Sequence, residues 1–173
     1  CAGDTVQTGP PAIPGQTCLW SPGGATTAQI DGSPLVTTVY TVTATNNCAT
    51  ADDTVTVTVE DAPAAPVLAL PADGATGLQP TVELSWNASA GASDYTVELA
   101  TNALFTQNLQ SQTVATTQAT FGGLGPVQHF WRVTANGTCT GAPSVVFDFS
   151  VTNEIFIDGF ESNDFSAWSL VLP

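Results

Sequence analysis

Positive charge is almost absent: Lys+Arg 1 stands against Asp+Glu 15, a formal net charge of −14. The one basic residue is Arg132. Phosphate backbones and anionic membrane surfaces are held through clusters of Lys and Arg, so nucleic acid and charged lipid are excluded as partners. Histidine is nearly absent too, with His129 alone, and no Cys-x-x-Cys pair occurs. That argues against a structural zinc site. No apolar run approaches the roughly 18 residues of a membrane-spanning helix, so no membrane insertion is expected. Methionine is missing altogether, which leads to the expectation of a mature product or a fragment whose signal peptide is gone. Charged residues make up only 9%, yet 43% of the chain is hydrophobic, which rules out a disordered acidic tail.

Turn formers and β-branched residues are plentiful. Pro 12, Gly 15 and many Thr and Val argue for short strands with tight turns. In residues 1–60, strands are expected at Asp4–Thr8, Thr17–Trp20 and Leu35–Thr45, where Tyr40, Val42 and Ala44 share a face. Asn46-Asn47 makes a turn, and Thr54–Val59 alternates valine with threonine, the period of a half-buried strand. Residues 61–66, Asp-Ala-Pro-Ala-Ala-Pro, read as a short stiff linker. In residues 67–152, Val82, Leu84 and Trp86 share one face, as do Tyr95, Val97 and Leu99. His129, Trp131, Val133 and Ala135 share a third, and Phe147 and Phe149 point together on a closing strand over Ser144–Val151. The fold class is therefore all-β, with two tandem immunoglobulin-like β-sandwiches and a short C-terminal tail, residues 153–173. The tail carries Phe156, Phe160, Phe165 and Trp168, too many large apolar groups for so short a segment to bury alone. They are expected to be assembly contacts.

Two stretches carry resemblances. Cys1-Ala2-Gly3-Asp4-Thr5-Val6, Leu19-Trp20-Ser21-Pro22-Gly23, Thr38-Val39-Tyr40-Thr41-Val42-Thr43 and Asn47-Cys48 resemble the PKD-like, immunoglobulin-like repeats of large secreted bacterial surface proteins. Leu70-Pro71-Ala72-Asp73-Gly74, Leu84-Ser85-Trp86, Tyr95-Thr96-Val97-Glu98-Leu99 and Phe130-Trp131-Arg132-Val133 resemble a bacterial fibronectin type III-like domain. The resemblance implies fold rather than function, since such modules serve many hosts. It also places a tyrosine where this chain has His129, so the usual corner hydrogen bond must come from an imidazole or be lost. Residues 155–169 are similar to a short motif that ends many secreted bacterial proteins.

Candidate chemistry is sparse. Nucleophilic catalysis would need His129 as its base, paired with a serine or with Cys139. Its position on a strand face beside Phe130 and Trp131 reads as structural packing instead, so no catalytic residue is assigned and no cofactor is expected. Calcium is the one metal considered: Asp158, Glu161 and Asp164 recur at every third residue of the tail, and Asp52-Asp53 lies just before a strand. The cysteines Cys1, Cys18, Cys48 and Cys139 are disulfide candidates. Sandwich geometry favours Cys18–Cys48, whereas the repeat resemblance marks Cys1–Cys48, and Cys139 is left free, bonded across domains or bonded between chains. Asn87-Ala88-Ser89 and Asn136-Gly137-Thr138 fit the N-glycan acceptor pattern. With Trp20, Trp86 and Trp131 in the core, only Trp168 is left for stacking on a sugar.

The function expected is a non-catalytic structural or interaction module of a secreted or surface-displayed bacterial protein. Self-association into an extracellular fibre would use the tail or open strand edges, and neighbouring domains of a larger surface protein are the other partner class. Two alternatives stay open: accessory C-terminal domains of a secreted hydrolase, and a carbohydrate-binding adhesin module.

Overall fold

The computed structural model of the chain describes residues 1–152. These residues are all-β, with strands β1 (Val6–Thr8), β2 (Thr17–Ser21), β3 (Ile30–Gly32), β4 (Thr38–Thr45) and β5 (Thr50–Val57) in the first part. The second part holds β6 (Leu68–Leu70), β7 (Ala75–Leu78), β8 (Val82–Trp86), β9 (Asp94–Ala100), β10 (Gln110–Val114), β11 (Gln118–Phe121), β12 (Gln128–Asn136), β13 (Thr140–Pro143) and β14 (Phe147–Val151). The described residues divide into two compact units, one of residues 1–63 with 137–140 and one of residues 64–136 with 141–152.

The first unit has a two-stranded sheet, β1-β3, and a three-stranded sheet, β2-β4-β5. The long β4–β5 hairpin turns at Asn46, whose side-chain Oδ1 accepts the N–H groups of Cys48 and Ala49, each at 2.9 Å. This is why the Asn-Asn pair is readable as a turn: the short amide replaces backbone partners locally. The register puts Cys18, Trp20, Val42 and Val55 on the inner face and Leu19, Thr41, Thr43 and Thr54 on the outer. The core is small. The core cluster is Cys18, Trp20 and Val42, flanked by Ala25, Ala28, Ile30, Tyr40 and Val55. The Trp20 indole donates to the Thr27 carbonyl at 3.0 Å. Gly9 has φ +116, and a Cβ there would run into the Ala28 carbonyl and lie 2.8 Å from the Trp20 ring. Only glycine lets the chain pass this close.

The second unit stacks a six-stranded sheet (β10-β9-β12-β14-β7, with β13 on β12) against a three-stranded one (β11-β8-β6). Its core is continuous, with Leu84, Val97, Leu99, Phe121, Trp131, Val133 and Phe149 almost wholly excluded from water. Each such side chain contributes about 1.5–3 kcal/mol by leaving water. The alternation read on residues 82–86, 95–99 and 129–135 is the alternation of burial observed.

Several details differ from the sequence reading. The third run begins as a strand at Thr38, with Leu35 and Val36 exposed before it. Asp52 and Asp53 lie inside β5, not ahead of it, because the ladder on β4 extends to Thr50. Strands β3, β6, β7, β10, β11 and β13 lie outside the runs read from sequence, although Ala119 and Phe121 bury on the inner face of β11, and the closing strand begins at Phe147 rather than Ser144.

Candidate functional site

The cysteines form one disulfide, Cys1–Cys139, so neither Cys18–Cys48 nor Cys1–Cys48 exists. The reason is register. Cys18 faces Ala44 on β4 and turns into the core beside Trp20 and Val42, whereas Cys48 is exposed beyond the end of β4. Residues 137–140, which carry Cys139, group with the first unit despite their place in sequence. The bridge closes a span of 138 residues.

His129 is buried at 4% exposure and its ring stacks on Phe149 at 5.5 Å. Its Nε2 lies 3.1 Å from the carbonyl of Gly125, four residues upstream. A carbonyl only accepts, so Nε2 carries the proton and donates this bond. Arg132, the single basic side chain, donates to Glu98 Oε2 at 2.6 Å across β9 and β12 and lies 4.2 Å over the Phe105 ring. Trp20, Trp86 and Trp131 are buried at 2%, 3% and 0% exposure. Asn136 spends its amide on Asp94 at 2.7 Å and Thr96 at 2.9 Å. Among the described residues no group of three or more His, Cys, Asp or Glu is placed to hold a metal ion. The calcium candidates Asp158, Glu161 and Asp164, and the tail contacts Phe156, Phe160, Phe165 and Trp168, lie outside the described residues.

The feature that stands out as a surface is in the first unit. Among the described residues strand β5 pairs with β4 on one side only and ends its sheet. Its inner-face residues Ala51 and Asp53 are exposed where a closed sandwich would cover them. Beneath them lies a hollow of about 350 Å³, floored by Cys18, Trp20 and Val42 and bounded by Gly9, Pro10 and Asp53. The opening follows from strand count, since the facing β1-β3 sheet has two strands of three residues against strands of eight. Sequence reasoning found the strand but not the hollow, because the alternation of residues 54–59 shows which face turns inward and nothing of what covers it.

No protein-family model matches the sequence, and no curated protein sequence matches it. Among solved structures, the chain is similar to an Fn3-like protein from Clostridium thermocellum at 18% identity and TM-score 0.39, covering 53% of this chain and 92% of that one. It is also similar to domains A168–A170 of titin at 18% identity and TM-score 0.42, covering 84% and 59% of the two chains. The twitchin kinase region from C. elegans (Fn31-NL-kin-CRD-Ig26) matches at 21% identity and TM-score 0.44, over 57% of this chain and 19% of that one.

Proposed function

We propose that the chain is a non-catalytic structural and interaction module of a secreted or surface-displayed bacterial protein, working by self-association through strand edges and its C-terminal segment. The observation that carries this reading is, among the described residues, a one-sided β5 edge over an open apolar hollow. Unpaired strand edges are templates for another strand, and proteins that do not use them usually cover or shorten them. The rest of the molecule supports a scaffold. The single imidazole is held between Phe149 and a backbone carbonyl, and the single guanidinium is held by Glu98 and Phe105. The Cys1–Cys139 bridge suits an oxidising compartment outside the cytosol. A chain with one basic residue offers trypsin-like proteases a single site. Electron microscopy of the purified full chain tests the proposal: filaments or ordered oligomers that vanish on deleting residues 153–173 are the expected result. Filaments unchanged by the deletion would remove the tail from the account.

A further inference from the structure

We infer that strand β10 is the seam along which a second copy of the chain pairs, antiparallel and about a twofold axis at Gln112. This names a contact for the self-association proposed above and rests on that reading. The first observation is an open edge. Among the described residues β10 pairs with β9 alone and ends the six-stranded sheet. Its register runs unbroken from Gln110 opposite Leu99 to Val114 opposite Tyr95. Edges that proteins protect carry charge, proline or a bulge, and Gln-Ser-Gln-Thr-Val has none of these. By contrast β5 carries Asp52 and Asp53, β3 carries Asp31, and β6 and β7 shift register against their neighbours. The Gln112 amide donates to the Thr120 carbonyl on β11 at 3.0 Å, which helps to hold β10 in place as a template.

Charge selects the partner. Copies of a chain with net charge −14 repel one another, so they meet most readily where each is neutral. Residues 99–131 contain no Asp, Glu, Lys or Arg, and β10 lies within them. The one charge on the stretch of β9 that pairs with β10 is Glu98, opposite Ser111, and β12 sets Arg132 against it at 2.6 Å. The single guanidinium thus neutralises the carboxylate of this row. The edges of β2 and β11 are uncharged too, but their sheets carry Asp52, Asp53 and Glu83 with no basic residue on any strand. Strand β10 is also complementary to itself. Antiparallel pairing about Gln112 sets Gln112 against Gln112, Ser111 against Thr113 and Gln110 against Val114. One step beyond, Leu109, 48% exposed, meets Ala115. Ser–Thr hydroxyl pairs are favourable across strands. A twofold contact closes at two copies, so this seam builds a dimer, and a filament needs the β5 edge as its second contact.

The register makes the seam testable, because Ser111 and Thr113 are exposed and share one face of β10. Full chains carrying Ser111→Cys and full chains carrying Thr113→Cys, both in a Cys48→Ser background with Cys1–Cys139 intact, are mixed, oxidised mildly and run on a non-reducing gel. Directly opposite residues on paired strands have Cα atoms about 4.5–5.5 Å apart, within disulfide reach. Like positions, 111 with 111 or 113 with 113, lie about 7–8 Å apart on the diagonal, beyond it. The expected result is a covalent dimer from the mixture, joined between positions 111 and 113 by mass spectrometry, with either variant alone giving only a trace. In the unsubstituted full chain, hydrogen exchange at the amides of residues 110–114 should slow as concentration rises. Equal yield from either variant alone would overturn the register at Gln112. Oligomers with no 111–113 bond and with β10 amides exchanging fast at every concentration would overturn the seam and leave self-association standing. Amides protected equally at every dilution would place the edge under its own chain and overturn the second copy as its partner. A chain that is monomeric at every concentration would overturn both the seam and the reading beneath it.

Discussion

Asp53 on β5 sits directly across from Val42 on β4, a solvated carboxylate paired with a side chain 7% exposed on one face of one sheet. The Asp53 Oδ1 accepts the N–H of Thr54 at 2.8 Å, so the carboxylate is anchored at the edge. Inward-facing charge is a known way of keeping a strand edge from pairing indiscriminately. Asp53 is thus the residue that sets how readily the edge is used. Asp53→Val should strengthen association by removing the carboxylate from the edge, while the Val–Val pair it makes within one chain adds up to about 1 kcal/mol to the stability of the first unit. Sedimentation velocity measured against wild type checks this, and weaker association in the variant would contradict it.

Salt should act in the same direction. Copies of a chain with net charge −14 repel one another, and raising ionic strength from about 0.01 M to 0.1 M shortens the screening length from about 30 Å to 10 Å. Light scattering should therefore rise with sodium chloride. Dissociation by salt would mean that attraction between charges holds the assembly.

Arg132 is the single trypsin site, and it lies inside β12 with its side chain on Glu98. The native protein should resist trypsin until the second unit opens. Cleavage then separates residues 1–132 from 133–173, each holding one end of the Cys1–Cys139 bridge. Two bands should appear on a reducing gel and one on a non-reducing gel. Two bands without reductant would disprove the bridge.

The bridge also matters energetically. A core cluster of Cys18, Trp20 and Val42 is thin for the first unit. In the chain-entropy account a crosslink spanning 138 residues contributes about 5 kcal/mol by restricting the unfolded chain. Cys1→Ser should lower the Tm of the first unit in calorimetry far more than that of the second, whose core from Leu84 to Phe149 is independent of it. Equal shifts in both would contradict this division.

His129→Phe keeps the ring on Phe149 and removes the hydrogen bond to Gly125, leaving that carbonyl without its imidazole partner. A loss of about 1–2 kcal/mol is expected from chemical denaturation, with assembly unchanged. His129→Tyr should recover part of it. An assembly defect without a stability change would give the imidazole a role other than packing.

Much of this fold was legible because its strands are half-buried. Val97 and Leu99, or Trp131 and Val133, announce a face by period alone, and Asn46 announces a turn by its own chemistry. Pairing across long separations was not legible. Cys18 and Cys48 look like partners until the register sets Cys18 against Ala44, and nothing near Cys139 in sequence points to Cys1. The hollow over Trp20 was hidden for a related reason: it arises from a mismatch in length between two sheets, a property no single strand carries.

The most direct test is the mass of the native full chain in solution. Sedimentation velocity over a wide concentration range should show species heavier than the 17.7 kDa chain that grow with concentration and salt. A single 17.7 kDa species at every concentration and ionic strength would contradict the account.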